Sequence, residues 1–460
     1  MSMVVQHNMQ AANANRMLGI TSGAQAKSTE KLSSGYKINR AADDAAGLTI
    51  SEKMRKQIRG LDKASSNAQD GVSSVQTAEG ALTEVHSMLQ RMNELAVQAA
   101  NGTNSKDTDR KAIQDEIDQL NTEIDRVAET TKFNEIYLLK GDDGEKTVNM
   151  KAHDAGLKGT LTDNGDGTAT FKMDTLNAGD TVSIGGKNYT IGGVAADVTD
   201  MLTKAGITDA AGNKVTINGK EYTYCENASD GKTALTNKGY YETAPDAANV
   251  ATATPAYANS AAIAAAKSAT ISVGTKSITT IDDTKADGID DNDTSVITKQ
   301  KAYELAGKEL LAANQIGDTE GNAEVKNGDK SNLAFNAGDG TFNIKVGQAK
   351  VANTLSFSLH VGADADMTNK ITVDIETMNS ANLGIKGLNV TDKNGSAATY
   401  AIDAISDAIS KVSSQRSALG AVQNRLEHTI DNLDNISENT SSAESRIRDT
   451  DMAKEMVNYS

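Results

Sequence analysis

The sequence of 460 residues carries a formal net charge of −16 and contains 3% aromatic residues, no tryptophan and one cysteine. This length permits roughly two to four domains, and the shortage of aromatic side chains predicts cores built from small aliphatic residues. An acidic chain argues against nucleic acid as a partner, since phosphate binding needs a basic surface. The single Cys225 excludes an intrachain disulfide framework. No stretch approaches the ~18 apolar residues of a spanning helix, so we expect no membrane insertion.

The first predicted element is a short helix over residues 4–32, whose apolar side chains form only a modest stripe. Such a helix is marginal alone and needs a partner surface. It ends before Gly35, which suits the left-handed position that follows a helix. The segment 36–44 is predicted to be extended, and the carboxylates of Asp43 and Asp44 suit the positive end of the next helix.

Two long segments near the two ends of the chain repeat apolar residues every seven positions, which is typical of a coiled-coil seam. A third segment, 113–127, repeats the spacing after a break at 101–104, which predicts a helical hairpin. The expected architecture is an elongated bundle of two N-terminal helices and one C-terminal helix. The positions expected to pack in it are Leu61, Val75, Leu82, Ile405, Val412, Leu419, Leu426 and Leu433.

Between these arms the residue usage shifts to Thr, Ala, Gly, Asn and Asp. Gly185-Gly186 and Asn218-Gly219 each separate two alternating apolar runs, which predicts two β-hairpins. The inserted region is therefore expected to be α+β or mainly β. Further strands are predicted at 270–273, 342–346 and 355–361, with helices near 195–204 and 295–313.

These composition shifts divide the chain into four parts. Residues 1–43 form an N-terminal helical segment, and residues 44–140 with 396–450 form the helical bundle. Residues 141–395 form an inserted, surface-exposed outer region, and residues 451–460 begin a last helix. The predicted fold class is mainly α in the two ends, with an inserted α+β or mainly β region.

No constellation of residues predicts catalysis. The five histidines are scattered, and no phosphate-binding loop or nucleophile elbow is present. The acidic loop 282–293 fails the EF-hand pattern, because Lys285 and Thr294 fall where calcium ligands belong. We therefore expect no catalytic residue, no metal site and no cofactor, and a protein that is not an enzyme.

Four segments in the arms carry a family resemblance. Residues 32–47 (LSSGYKINRAADDAAG) and 89–98 (LQRMNELAVQ) closely resemble the N-terminal signature of bacterial flagellins. Residues 419–426 (LGAVQNRL) and 443–453 (AESRIRDTDMA) resemble the C-terminal signature. The middle carries no such match, which the family implies, since flagellins vary most in their outer domains.

Resemblance to flagellins implies a subunit that self-assembles into the flagellar filament for motility, with the insert displayed outward. The implied partners are further copies of the chain, a flagellar export chaperone and the filament cap protein. The implied location is the extracellular filament. Flagellins leave the cell through the flagellar export channel without a cleaved signal peptide, which agrees with a beginning that lacks a basic segment followed by an apolar one.

The resemblance also implies binding to the vertebrate Toll-like receptor for flagellin. In flagellins that this receptor recognises, the contacts centre on the helix of the LQR…ELAV motif and on the neighbouring IQ-x-E helix. Arg91 has a side-chain type that is common at binding hot spots. The matching positions of this sequence are Gln90, Arg91, Glu94, Leu95, Gln98, Gln114 and Glu116.

One departure concerns the C-terminus. Flagellins of this type usually continue beyond the segment that matches residues 452–456 for a few more helical turns, whereas this sequence ends at Ser460. We therefore expect the partner of the first short helix to be missing, and the chain to polymerise poorly.

Two other classes remain open. A hook–filament junction protein shares helical ends of this kind, and it would not form long homopolymers. A secreted adhesin or glycan-binding protein would act through residues 141–395 instead.

Overall fold

The computed structural model describes residues 9–105, 108–327, 340–392 and 395–460, so residues 4–8 of the first predicted helix lie outside the described part. Within these ranges the chain forms eight α-helices. They are α1 (Met9–Ser34), α2 (Ala45–Ala100), α3 (Asp109–Thr130), α4 (Ala195–Lys204), α5 (Ser260–Ala264), α6 (Lys299–Asn314), α7 (Ser396–Arg448) and α8 (Met452–Tyr459).

The strands of the same ranges lie between α3 and α7. Three larger sheets run in the orders β10-β9-β8-β11-β12, β13-β7-β6 and β14-β15-β5-β4, and β1-β2, β3-β16 and β17-β18 form separate pairs. The strands are β1 (Lys132–Phe133), β2 (Ile136–Tyr137), β3 (Asp142–Asn149), β4 (Gly159–Asp163), β5 (Thr168–Met173), β6 (Thr181–Ile184), β7 (Lys187–Ile191), β8 (Lys214–Ile217), β9 (Lys220–Asn227), β10 (Ala234–Tyr241), β11 (Thr270–Val273), β12 (Lys276–Thr279), β13 (Val296–Ile297), β14 (Glu324–Asn327), β15 (Thr341–Lys345), β16 (Gln348–Asn353), β17 (Leu355–His360) and β18 (Lys370–Ile375).

The two long helices α2 and α7 pack antiparallel along most of their length. Asp44 caps the start of α2, because its side chain accepts a hydrogen bond from the backbone N of Gly47 at 2.9 Å. Two contacts show the antiparallel direction, since Ser51 Oγ donates to Glu444 Oε1 at 3.3 Å and Ser65 Oγ, further along α2, donates to Asp434 Oδ1, earlier in α7, at 2.9 Å. The heptad positions of both helices bury small or aliphatic side chains in the shared seam. The predicted fold class, helical arms with an inserted β-containing region, is confirmed.

Helix α3 folds back on the C-terminal half of α2, as the break at 101–104 predicted. Ile113, Ile117 and Ile124 are buried in the core that α2 and α7 share. The bundle therefore has three helices in the half that lies nearest the insert, and two in the other half.

The β17–β18 hairpin packs against the middle of the bundle and extends over part of its two-helix half. Leu359 lies against Gly71 of α2, and Gln415 of α7 donates from Nε2 to the backbone O of Asp374 at 3.1 Å. Further along the chain, Ile385 is buried in the same core as α2 and α7. The core of the helical bundle thus includes residues that the sequence-based division at 395 assigns to the insert.

Both hairpins predicted in the insert are confirmed. Gly185-Gly186 joins β6 to β7, and Asn218-Gly219 joins β8 to β9. Asn218 and Gly219 have φ of 49° and 82°, as a tight two-residue hairpin turn requires. The remaining predicted strands and helices correspond to β11, β15, β17, α4 and α6.

The insert does contain aromatic cores, which corrects the expectation of small aliphatic cores throughout. Phe171 and Phe342 are fully buried with ring centroids 6.3 Å apart. In a second core the buried Tyr240 meets Tyr224 edge to face at 5.2 Å. The chain concentrates several of its few aromatic side chains in these places.

Helix α8 packs against the last turns of α1. The expectation that α1 has no partner is therefore wrong for these turns, where Ser28 is buried against α8. In the described part of the chain, no helix combines the length and the apolar character needed to cross a membrane.

Candidate interaction surfaces

The first candidate surface lies on α1 and α8. Ser28 is the buried residue of α1, and α8 buries none of its side chains. Six large apolar side chains of these two helices are between 56% and 79% exposed. We call this set the terminal apolar surface, and it consists of Met9, Met17, Leu18, Ile20, Met456 and Val457.

Polar contacts between the two ends of the chain hold α8 in place. Glu455 of α8 accepts a hydrogen bond from Ser28 Oγ at 2.8 Å. The backbone N of Lys37 donates to Arg448 O at 2.6 Å, and the Arg448 guanidinium lies over the Tyr36 ring at 4.6 Å. These contacts orient the terminal apolar surface relative to the bundle without burying it.

The second candidate surface lies where α3 crosses α2. Arg91 Nε donates to Glu116 Oε1 at 2.9 Å, and its Nη1 donates to Glu94 Oε2 at 3.2 Å. These hydrogen bonds, first that of Glu116 and then that of Glu94, raise the pKa of the Arg91 guanidinium above its usual value. Half of the Arg91 side chain is exposed. Gln90 and Gln98, which were also predicted to contact the receptor, are exposed as well.

We define the α2–α3 face by its five exposed members, Gln90, Arg91, Glu94, Gln98 and Glu116. Leu95, which was predicted with them, is only 2% exposed and packs in the helical core. We therefore leave Leu95 out of the α2–α3 face, and its contact with the receptor stays a prediction.

Gln114 is half-buried, and its amide bonds to the chain itself. Its Nε2 donates to Leu388 O at 2.8 Å, and its Oε1 accepts from the backbone N of Val390 at 2.8 Å. This pair of hydrogen bonds ties α3 to the segment that precedes α7. We therefore leave Gln114 out of the α2–α3 face.

The eight residues predicted to pack in the bundle lie in the interface of α2 and α7, and all are buried. Leu61, Leu426 and Leu433 share the core beneath the β17–β18 hairpin. The others belong to the larger core, and they are Val75, Leu82, Ile405, Val412 and Leu419.

Comparison with known proteins matches both ends of the chain. Residues 5–143 match the bacterial flagellin N-terminal helical region, and residues 402–460 match the bacterial flagellin C-terminal helical region. A flagellin of Clostridium tyrobutyricum is 37% identical over 461 residues, which cover 100% of this chain and 94% of that protein. This chain belongs to the flagellin family.

Other relatives of this flagellin are similar over different lengths. Polar flagellin A of Vibrio parahaemolyticus is 33% identical, covering 99% of this chain and 91% of that protein. A flagellin of Halalkalibacterium halodurans is 58% identical over 149 residues, which cover 32% of this chain and 54% of that one. A solved structure of FliC from Burkholderia pseudomallei has 16% identity and a TM-score of 0.27, covering 77% of this chain and 99% of that chain. That likeness is too distant to support an argument.

Family membership establishes the class of protein. Flagellins are structural subunits that polymerise with one another into the extracellular flagellar filament. The predictions of a filament subunit and of a protein that is not an enzyme are confirmed on that ground.

The sequence analysis did not single out Arg110, a buried arginine that joins α3 to the end of α2 and to the segment before α7. Arg110 of α3 is 1% exposed, and three backbone carbonyls accept its hydrogen bonds: Ala99 O at 2.8 Å, Asp392 O at 2.9 Å and Asn101 O at 3.2 Å. A cation suits the negative end of α2, where the last carbonyls have no helical partner. The signal available in the sequence was an arginine soon after the Asn-Gly turn.

Carboxylates of the acidic loop 282–293 accept hydrogen bonds from other groups of the same chain. Asp290 is 2% exposed and accepts hydrogen bonds from Ser268 Oγ at 2.8 Å and from the backbone N of Asp282 at 2.6 Å. In the described ranges, no three His, Cys, Asp or Glu side chains are grouped so that they could hold a metal ion.

Proposed function

We propose that the terminal apolar surface is where copies of this flagellin join during polymerisation. The observation that carries the proposal is the exposure of Leu18, Ile20, Met456 and Val457 on two helices that already pack against each other. Apolar groups exposed in such number mark interaction sites in soluble proteins. A contact that repeats between unlike surfaces of identical subunits builds an open helix.

The same surface suggests how the chain is handled before assembly. Apolar side chains that remain exposed promote aggregation, so we propose that the export chaperone covers the terminal apolar surface inside the cell. The chain then travels through the flagellar export channel and folds beneath the cap protein.

Seeded polymerisation of the full chain tests the assembly proposal. Leu18→Lys places a charge in the terminal apolar surface, and Gln25→Lys places the same charge at an exposed polar position of α1. We expect Leu18→Lys to add to fluorescently labelled seeds far more slowly than the unaltered chain, and Gln25→Lys to add at the unaltered rate. Equal incorporation of the Leu18→Lys variant would reject the proposal.

We propose as a second function that the α2–α3 face binds the vertebrate Toll-like receptor for flagellin. The motif resemblance supplies the partner, and the geometry of Arg91 supports the site. Its guanidinium is oriented by Glu94 and Glu116 while half of the side chain stays exposed. A pre-oriented arginine loses little freedom when it binds, which favours a hot spot.

The receptor proposal has a matched control within α3. Arg126 is also exposed and also pairs with a carboxylate of its own helix, that of Glu123, at 2.5 Å. We expect Arg91→Ala to weaken binding to the purified receptor ectodomain by about thirtyfold, as for a hot-spot arginine. Arg126→Ala should leave the dissociation constant unchanged. Equal effects of the two variants would indicate that general charge, and not the α2–α3 face, governs binding.

A further inference from the structure

A stripe of basic side chains runs along the first part of α2. Lys53, Lys56, Arg59 and Lys63 follow at spacings of three, three and four residues, which places them on one side of the helix. All four are exposed, and none forms an ion pair with another described residue. Glu52 at the start of this side offsets one of the four charges. We call the four basic residues the basic stripe.

A stripe of acidic side chains runs along α7. Glu427, Asp431, Asp434 and Glu438 follow at spacings of four, three and four residues, and all are exposed. The segment 427–438 contains no lysine or arginine. Within the described ranges these carboxylates take part in no ion pair, although Asp434 accepts a hydrogen bond from Ser65. We call these four residues the acidic stripe.

The two stripes follow one another along the bundle. Ser437 Oγ of α7 donates to Asp62 Oδ1 of α2 at 2.8 Å, so the Glu438 end of the acidic stripe lies level with the Lys63 end of the basic stripe. The rest of the acidic stripe extends from there towards the insert. Each stripe spans about 15 Å of helix, and their centres are separated by about 13 Å along the bundle axis.

The stripes also border opposite edges of the seam between α2 and α7. Gly60, which shares the side of α2 that carries Lys56 and Lys63, rests against Ala363 beside the β17–β18 hairpin. Ser65 instead faces Asp434 of the acidic stripe. Five residues of α-helix separate Gly60 from Ser65, which is a rotation of about 140°. Within one chain the basic stripe is therefore turned away from the acidic stripe.

We propose that the basic stripe of one copy packs against the acidic stripe of a second copy, side by side in the filament. The partner is another copy because this chain carries both signs of charge, on stretches of similar length. Two neighbours that point the same way bring α2 of one beside α7 of the other in antiparallel order. The basic stripe, read from Lys53 to Lys63, then meets the acidic stripe read from Glu438 to Glu427.

This pairing displaces one neighbour from the other by about 13 Å along the bundle axis, the separation of the stripe centres. The contact is heterologous, so each copy keeps one stripe free for the next neighbour. A sideways step that repeats together with an axial displacement builds an open helix. The geometry of the contact thus agrees with growth of a filament and not with a closed ring.

The charged contact rests on the polymerisation proposed above, but it uses no residue of the terminal apolar surface. Complementary charge selects the orientation of neighbours more than it adds affinity. Exposed charges are screened beyond about 8 Å at physiological ionic strength, and more strongly in concentrated salt, so added salt weakens this contact.

Zero-length cross-linking tests the contact directly. Chain labelled with heavy nitrogen is mixed with unlabelled chain, seeded or concentrated, and treated with a carbodiimide, which joins a lysine amine to a carboxylate as an amide with net loss of water. We expect mixed-isotope peptides that link Lys53, Lys56 or Lys63 to residues of the acidic stripe, and fewer of them at high salt. Intermolecular links that lie only elsewhere, or none at all, would overturn the proposal.

Charge-reversal variants provide a second test of the contact. Lys56→Glu with Lys63→Glu, and separately Glu427→Lys with Asp431→Lys, should each reduce incorporation onto seeds of the same variant by at least about tenfold, because like charges then face each other. All four substitutions in one chain restore opposite charges and should recover most of the incorporation.

The control for net charge is Lys232→Glu with Lys276→Glu, at exposed positions of the insert, which should incorporate normally. Circular dichroism of each monomer confirms that the helical bundle has formed. Unaltered incorporation by both stripe variants, or no recovery in a folded fourfold variant, rejects the charged contact alone. Normal incorporation of Leu18→Lys rejects the terminal apolar surface alone, so the two proposals fail separately.

Discussion

Ser28 and Glu455 join the two ends of the chain across 427 residues of sequence, with Ser28 Oγ donating to Glu455 Oε1 at 2.8 Å. The same hydroxyl lies 3.3 Å from the backbone O of Glu455, and Lys31 Nζ lies 3.9 Å from the carboxylate. Ser28 is 5% exposed, although the rest of α1 is largely open to solvent. This small polar contact therefore helps to hold α8 against α1.

Ser28→Ala should loosen α8 from α1. The variant removes the buried donor, so we expect the backbone amides of α8 to exchange with solvent about three- to fivefold faster, as for the loss of one hydrogen bond. Hydrogen exchange with mass spectrometry measures this. Thr29→Ala, at the exposed neighbouring position, should leave the exchange of α8 unchanged.

The same contact should weaken in acid. The Ser28 hydrogen bond, with additional help from the charge of Lys31, lowers the pKa of Glu455 below its ordinary 4.5. A carboxyl with a lowered pKa stabilises the folded pairing above its ordinary pKa, and this contribution is lost as the pH falls through the lowered value. Exchange of α8 should therefore accelerate below pH 4.5 in the unaltered chain, relative to the bundle, and much less so in Glu455→Gln.

Arg110→Ala should destabilise the bundle strongly. The substitution leaves the carbonyls of Ala99, Asn101 and Asp392 without their buried donor, so we expect a loss of about 3 kcal/mol in the free energy of unfolding. Denaturation followed by far-ultraviolet circular dichroism measures this loss. Lys111→Ala, one residue along and exposed, should change the stability little, and equal effects would contradict the role assigned to Arg110.

Two glycines of α2 should respond in opposite ways to alanine. A methyl group on Gly80 meets nothing within 4 Å, so Gly80→Ala should stabilise the helix by up to about 1 kcal/mol. A methyl group on Gly71 would collide with Leu359 Cδ1 and lie 3.3 Å from Leu426 Cδ1. Gly71→Ala should therefore cost about 1–3 kcal/mol, and thermal unfolding of the two variants side by side gives the comparison.

The junction of insert and bundle should weaken in mild acid. Burial lowers the pKa of His153 below its ordinary 6.5, even though Asp407 and Asp403 of α7 oppose this, and Lys151 acts in the same direction as burial. A base with a lowered pKa contributes its full stability above pH 6.5 and loses it as the pH falls towards the lowered value.

Thermal unfolding at about pH 7.5 and at about pH 5.5, on either side of the ordinary histidine pKa, tests this prediction. From the higher to the lower pH, the unaltered chain should lose more stability than the His153→Gln variant, because glutamine cannot take up the proton. His428→Gln, at an exposed position of α7, serves as the control and should behave as the unaltered chain does.

The helical arms could be predicted because their pattern is local and repeated. Leu61, Leu82 and Leu426 belong to a heptad repeat that is recognisable within a few turns, and Asn218-Gly219 indicates a hairpin in a few residues. The pairing of β3 with β16 has no such signature, since about two hundred residues separate the strands. The α1–α8 contact was missed for a related reason, because it depends on polar contacts between distant residues, such as Ser28 and Glu455, and not on an apolar stripe.

The sequence motif names candidate site residues but does not say which of them are exposed. The motif resemblance predicts receptor contacts for Arg91 and Glu116, and both side chains are exposed, so these contacts stay a prediction. Leu95 differs from the other motif positions because α7 and α3 together cover α2 at that level, and its side chain is buried in the helical core. Arg110 was missed because a buried arginine and an exposed one look alike in sequence.

The pairing of β3 with β16 brings the two ends of most of the insert together. Residues 142–149 lead into most of the insert and residues 348–353 lead out of it, and the two strands hydrogen-bond to each other. The chain thus leaves the bundle and returns to it at adjacent points, the arrangement that tolerates the exchange of an entire folded unit. A different domain grafted between them would replace the contacts that the insert makes with the bundle, such as the hydrogen bond that Tyr400 of α7 donates to Glu309.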